Sequence, residues 1–341
     1  MNLQLTPDQR AIQETFASVF EREASIERVR AAEGSGFDPA LWEVLASLGA
    51  IGIAVPEDAG GSGAGFLELA LLAGEMGRRI APVPMTEAAV VAAGLAARPG
   101  HDDLLERVVG GDIVATFAPI PARDGVVRQV PYGASAGLVL ALDGDALVAV
   151  EGGAGPHRPD LGGLALADVD LRVGAAARHV LAEGPDAATC FENMLGWWRI
   201  AIACALTGLA REAIRIGVAY VRDRRQFGVP VGTFQAVQHG FANIATSTEG
   251  AEMLARKAAW SADEDDPRWR LLAAMACANA SDVGQQAASV SLHYHGGYGF
   301  TLEYDIQLYL RRAKGWTLAL GDIDQQWQAI GERHLALAGR D

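Results

Sequence analysis

The chain has 341 residues, 50 % of them hydrophobic and 21 % charged, a composition that supports a sizeable core and argues against disorder. Its formal net charge of −14 argues against nucleic acid and against an anionic membrane surface as partners. The most apolar stretch, Leu195–Leu209, is interrupted by Arg199 and reads as a buried helix rather than a membrane span. The first residues, MNLQLTPDQRAIQETF, lack the basic and apolar regions of a secretory signal, so the cytoplasm is the expected compartment.

Residues 5–32 carry helical periodicity, with Thr6-Pro7 as cap and first-turn proline. Asp38-Pro39 opens a second helix that runs through Leu48. The loop Ile53–Phe66 leads into an apolar helix, Leu67–Gly77, and Thr86–Ala97 follows the prolines Pro82 and Pro84. Residues 1–110 therefore read as a helical domain. From Gly110 to about Val180 the texture changes to short runs (IVATFAPI, GLVLAL, ALVAVE, DVDLRV) punctuated by Gly, Pro and Asp, which is strand patterning. Residues 111–180 are few for a barrel, and predict a small, truncated β-domain. Residues 181–341 return to helical periodicity: Phe191–Arg224, Phe234–Asp263, Pro267–Tyr294, Leu302–Gly315 and Ile323–Leu337. Long helices with short connections predict a C-terminal four-helix bundle. The fold class is mainly α with a small β-domain.

Cys204 and Cys277 lie in Ala-rich helical stretches and read as small core residues; with Cys190 they form no metal-ligand spacing. Gly60–Gly65 (GGSGAG) follows no parallel strand and precedes no phosphate-binding lysine, so it reads as an interhelix turn. His293-x-His295 has no ligand partner nearby and carries no metal reading. Arginines gather against the overall charge at Arg222, Arg224 and Arg225, and again at Arg311 and Arg312. A basic residue at a helix end suits the helix dipole whatever its role. Backed by Phe227 and a Gly228 turn, Arg224 is equally suited to pair bidentately with a pyrophosphate.

Two segments, RRQFGVPVGTFQ (Arg224–Gln235) and HYHGGYGFTLEY (His293–Tyr304), resemble the R-x-x-F-G…F-Q and Q-x-x-G-G-x-G-[FY]-x-x-[ED] elements of acyl-CoA dehydrogenases. LTPDQRAI, LWEVLASLGAIGIAVPEDAGGSG and EMGRRIAPVP in the first hundred residues are similar to the same family, so the resemblance covers most of the chain. It implies the family's fold: an N-terminal helical domain, a middle β-domain and a C-terminal bundle. It also implies FAD, whose ADP half is held by these two elements while its isoalloxazine ring lies in a neighbouring subunit. Carried over, Arg224 neutralises the pyrophosphate, Phe227 and Gln235 contact the dinucleotide, and Gly296 and Gly297 admit its backbone approach. His293 stands where the family usually has Gln on the adenine side.

The family's reaction is α,β-dehydrogenation of an acyl thioester, with a carboxylate as base and the flavin as hydride acceptor. One family position of that base, in R-D-A-x…Y-E-G-T, falls on Leu320 here; the other, twenty-six residues before Arg224, falls on Trp198. Asp322 reads as a helix cap with Gln325, and Glu192 as an acid in a first helical turn. The flavin-facing T-E-P-x-x-G-S-D strand is replaced by Phe117–Gly125 (FAPIPARDG), and a later W-I-[ST] segment is missing. No catalytic residue is assigned. Trp197 and Trp198 are expected to fill the space where acyl chain and base meet.

The resemblance thus extends to the smaller, base-less subunit of actinobacterial α2β2 acyl-CoA dehydrogenases of steroid side-chain degradation. It implies a non-catalytic FAD-co-binding chain, inactive alone, with a larger partner that carries the catalytic Glu and most of the acyl-CoA site. Electron-transfer flavoprotein is the expected acceptor, and neither nucleic acid nor membrane is a partner. The alternatives are a homo-oligomeric dehydrogenase with a displaced base and a non-enzymatic scaffold paralogue.

Overall fold

The structure is a computed structural model that describes residues 4–152, 155–172 and 177–338. Six α-helices come first: α1 (Pro7–Glu23), α2 (Ile26–Ala31), α3 (Pro39–Ser47), α4 (Phe66–Arg78), α5 (Met85–Ala96) and α6 (Asp102–Val109). The Thr6 hydroxyl accepts from Gln9 N and the Gln9 side chain accepts from Thr6 N, a complete capping box at the expected start of α1. The continuous periodicity of residues 5–32 hides a break. Ser25 caps a new helix through its hydroxyl, and α1 stops at Glu23. α5 is buried on every side from Met85 to Leu95, which takes Thr86 and Glu87 into the interior.

The middle region has β1 (Ala115–Phe117), β2 (Val126–Val130), β3 (Leu138–Asp143), β4 (Ala146–Glu151), β5 (Ala167–Asp170) and β6 (Arg178–Glu183). The strands β1-β3-β4-β6 form one sheet, parallel between β1 and β3 (Ala115 opposite Leu138) and antiparallel elsewhere. β2 and β5 form a separate antiparallel ribbon with an irregularity between Val127 and Val130. Alternate residues of β3 serve two cores. Leu138 and Leu140 join the main helical core, whereas Val139 and Ala141 pack with Val127, Val130 and Val169 of the ribbon. Burial on both faces explains the short apolar runs in the sequence. β2 and β6 escaped the pattern reading because polar residues interrupt them, and Gln129 in β2 takes a positive φ of 52°.

The helical remainder comprises α7 (Gly184–Asp223), α8 (Gln235–Asp263), α9 (Trp269–His295), α10 (Ile306–Leu318) and α11 (Ile323–Ala338). α7 has 40 residues and starts at Gly184-Pro185, not at Phe191. Pro185 suits a first turn, while the small residues that follow lack the large apolar side chains that mark a helix face. The earlier start moves Glu192 out of the first turn, where the sequence reading had put it. α7 approaches α4 closely enough that a Cβ at Gly77 would meet Ala205 O at 1.9 Å, and one at Gly208 would meet Gly74 O at 1.9 Å. Cys204 and Cys277 are buried, and burial pushes their thiols up to about 12 and about 11.

Candidate functional site

The predicted site residues converge at one end of the bundle. α7 ends at Asp223, and Arg224 begins a small hairpin of β7 (Arg225–Gln226) and β8 (Val229–Pro230), closed by Val231 N donating to Arg224 O over 2.8 Å. Phe227 and Gly228 form its tip with φ of 52° and 82°. α8 then starts at Gln235, with its first turns tied to α9 by the Tyr294 hydroxyl donating to Ala236 O at 3.1 Å. The end of α9 is tied to α7 by the Tyr220 hydroxyl, which donates to His295 O at 3.3 Å while its ring stacks on His295 at 4.0 Å. Gly296, at φ 63°, turns the chain into a short 3-10 segment, Gly296–Phe300.

Arg224, Phe227, Gln235, His293, Gly296 and Gly297 are all exposed there. The Arg224 guanidinium lies 5.5 Å from the centroid of the Tyr298 ring and has no carboxylate partner among the described residues. Most other arginines of this acidic chain are paired, so the group at Arg222, Arg224 and Arg225 is a local excess of positive charge. Large apolar side chains surround it: Phe227 is 92 % exposed and Phe300 73 %, with Val229, Phe234, Tyr298 and Leu302 nearby in sequence and also exposed. Phe227 meets Phe234 edge-on at 6.2 Å. Added Cβ atoms at Gly296 and Gly297 would meet nothing within 4 Å, so the backbone there faces open space. Unpaired guanidinium, exposed aromatic faces and bare backbone make a half-site that a dinucleotide phosphate and ring system fit. His295 differs from His293: it is buried, its Nδ1 shares a hydrogen bond with Ser291 O at 2.7 Å, and burial lowers its pKa.

Neither base position carries an acid. Leu320 is half-buried just beyond α10. Trp198 is 1 % exposed and its indole Nε1 donates to Glu87 Oε1 at 3.0 Å. Trp197 does not share that space. It stacks between Phe66, at 4.6 Å, and Trp269, at 6.4 Å, so Trp198 alone of the pair fills the interior. Asp322 accepts from Asp324 N and Gln325 N at 2.9 and 3.1 Å, which commits it to capping α11. Glu192 receives Arg333 at 3.1 Å. Ile120, in the segment that replaces the flavin-facing strand, lines a mainly apolar cavity of about 300 Å³ with Gln129, Leu161, Lys314 and Leu318. Its one carboxylate, Asp160, accepts from Gly162 N and Leu164 N at 2.6 and 3.0 Å.

Glu87 went unnoticed in the sequence, and the surroundings of Arg199 and Arg312, though both were named there, were not foreseen. Glu87 is 2 % exposed, and burial raises its pKa against the hydrogen bonds from Thr86 and Trp198. Arg199 is mostly buried, which lowers its pKa. Arg312 is buried on α10, where the family's R-D-A-x element has Asp; its Nη1 donates to Gly162 O and its Nη2 has no partner. The all-apolar surroundings of Thr86-Glu87, like the apolar run Leu195–Leu209 around Arg199, are the signals that point to burial.

A long helical bundle beside a two-core β-region is the architecture of an acyl-CoA dehydrogenase fold. Models of the acyl-CoA dehydrogenase N-terminal and C-terminal domains match residues 6–110 and 188–335. The acyl-CoA dehydrogenase FadE27 of Mycobacterium tuberculosis is 30 % identical over 88 % of this chain and 89 % of its own length. The acyl-CoA dehydrogenase IpdE2 of Mycolicibacterium smegmatis is 28 % identical over 96 % of this chain and 98 % of its own. Among solved structures, a Tcur3481–Tcur3483 steroid acyl-CoA dehydrogenase variant superposes with a TM-score of 0.86 at 29 % identity, covering 97 % of this chain and 99 % of that one. The ChsE4–ChsE5 complex from Mycobacterium tuberculosis gives 0.87 at 26 % identity, covering 98 % and 99 %. This chain belongs to the acyl-CoA dehydrogenase family.

Proposed function

We propose that this chain is the non-catalytic, FAD-co-binding subunit of a heteromeric acyl-CoA dehydrogenase that acts on a bulky, steroid-type acyl-CoA. One observation carries the reading: the exposed Arg224 half-site is retained while both base positions are apolar, Leu320 at one and Trp198 at the other. Similarity to the two-component ChsE4–ChsE5 and Tcur3481–Tcur3483 structures supports a partner subunit and a steroid-type acyl group. FAD, when bound, supplies the hydride acceptor for oxidation of the acyl Cα–Cβ bond. Arg224 pairs with its pyrophosphate, Phe227 and Gln235 contact the dinucleotide, and His293 stands on the adenine side. Gly296 and Gly297 let the backbone approach. The larger subunit contributes the carboxylate base, the flavin platform and most of the acyl-CoA contacts in an α2β2 assembly, and electron-transfer flavoprotein reoxidises the flavin.

Expression of the chain alone and together with acyl-CoA dehydrogenases encoded beside it tests this. The expected result is colourless, inactive protein alone and a yellow complex with one FAD per heterodimer. A chain that purifies yellow alone and oxidises acyl-CoAs overturns the proposal.

A further inference from the structure

Arg199 follows Trp198 on α7 and borders a cavity of about 200 Å³ between α7, α9 and the start of α11, shared with Leu320, Asp322, Gln326, Ile330 and Arg333. Among the described residues its guanidinium has no hydrogen bond and no ion pair. The acids around it are committed elsewhere: Glu192 to Arg333 at 3.1 Å, and Asp322 to the backbone N–H groups of Asp324 and Gln325. The Cys277 thiol, coupled electrostatically to Arg199, stays neutral because burial pushes it up to about 11. Gln326 adds a second donor to the cavity wall, a buried Nε2 without a partner.

The Asp322 carboxylate shares the cavity wall but forms no ion pair with Arg199. Water can satisfy the N–H groups without supplying a counter-charge, and a mostly buried cation with no paired counter-ion is costly. A water occupies about 30 Å³ in the liquid, so the cavity has room for a small anion. We propose that it is a binding site for a small oxyanion, a carboxylate or phosphate group paired with Arg199 and receiving a hydrogen bond from Gln326. The planar guanidinium favours groups that accept two parallel hydrogen bonds. The anion is either a free metabolite or an acidic side chain of a neighbouring subunit. This inference stands apart from the heteromeric reading and needs no flavin.

The probes are inorganic phosphate and acetate, titrated calorimetrically and by thermal melting into the chain alone and into the co-expressed complex, with chloride holding the ionic strength. Saturable binding to the chain alone is expected, weakened at least tenfold in Arg199→Met, which should itself fold because it removes a mostly buried charge that has no ion pair among the described residues. Leu320→Glu, which adds a second carboxylate to the cavity wall beside Asp322, should also weaken binding. A response lost only in the complex assigns the anion to the partner subunit; one present in both assigns it to a free metabolite. No saturable binding, equal binding in Arg199→Met, full binding in Leu320→Glu, or displacement of phosphate by stoichiometric FAD overturns the proposal.

Discussion

The Trp198 indole donates to the Glu87 carboxyl across 3.0 Å, and both side chains are buried where α5 meets α7. Glu87 also receives the Thr86 hydroxyl at 2.7 Å, but no guanidinium or ammonium pairs with it among the described residues. Burial disfavours the charged form of a carboxyl in such surroundings, and the indole fills the space beside it. Truncation should be expensive. Trp198→Ala is expected to lower unfolding free energy by about 3–5 kcal/mol through the cavity it leaves. Trp198→Phe keeps part of the volume, removes the donor and should cost about 1–3 kcal/mol. Urea unfolding of both variants checks this; a loss within error for Trp198→Ala would mean the indole is not packed as described.

The same pair makes stability depend on pH with a definite sign. Burial raises the folded-state pKa of Glu87 above its ordinary 4.5. At pH below 4.5 the carboxyl is protonated in both states and costs nothing. As pH rises past that value the unfolded chain ionises while the folded one resists, so stability falls until the folded pKa is reached. Glu87→Gln accepts the same hydrogen bond and does not ionise. Its urea midpoint relative to the wild type should therefore rise as the pH increases above 4.5. Parallel curves would show that Glu87 titrates normally.

At the opposite end of the bundle, Arg224 should matter for flavin and little for folding, because its side chain is exposed and, among the described residues, its guanidinium has no partner but the Tyr298 ring. In the complex with a partner subunit, Arg224→Ala is expected to weaken FAD retention roughly ten- to hundredfold, the loss of a charge-assisted pair worth about 1.5–3 kcal/mol. The melting temperature of the flavin-free chain should hardly move. Flavin content measured by absorbance after gel filtration decides it, and full occupancy would remove Arg224 from the site.

These cases show which features were legible in the sequence. The Thr6–Gln9 cap, the long helices and the Arg224–Gln235 element are local in sequence, so spacing and residue type suffice to place them. The Glu87–Trp198 bond joins residues 111 apart. Asp263 is a similar case. It sits at the end of α8 and accepts from Phe66 N and Leu67 N of α4 at 2.7 and 3.0 Å, a helix cap supplied from almost two hundred residues away. No local pattern announces it. Nor did the sequence separate Trp197 from Trp198, since adjacent helical residues point about 100° apart and only the packed neighbours decide which is interior.

Asp263→Ala should then behave as loss of an N-cap, costing about 0.5–2 kcal/mol. Backbone amides at the start of α4 should exchange faster than in the wild type, which separates loss of the cap from general destabilisation. Unchanged exchange at Phe66 and Leu67 would deny Asp263 that role.

Gly162 and Gly315 meet backbone to backbone where the loop before β5 crosses α10, beside the Arg312 guanidinium. A Cβ at Gly315 would meet Gly162 Cα at 2.3 Å and Gly162 N at 2.7 Å, and both of those atoms belong to main chain that cannot swing aside. Gly315→Ala must therefore push the loop off the helix, at a cost of about 1–3 kcal/mol. Arg312 would lose the Gly162 carbonyl, its one acceptor among the described residues, and Leu161 and Leu164 would no longer wall the apolar cavity. Faster amide exchange is expected over residues 160–166. Gly331 is the control: it lies inside α11, where an added Cβ meets nothing within 4 Å. Removing glycine's backbone freedom there should stabilise the chain by about 0.5–1 kcal/mol. Opposite signs for the two glycine-to-alanine changes distinguish the contact from helix propensity, and a neutral Gly315→Ala would show that the loop does not bear on α10.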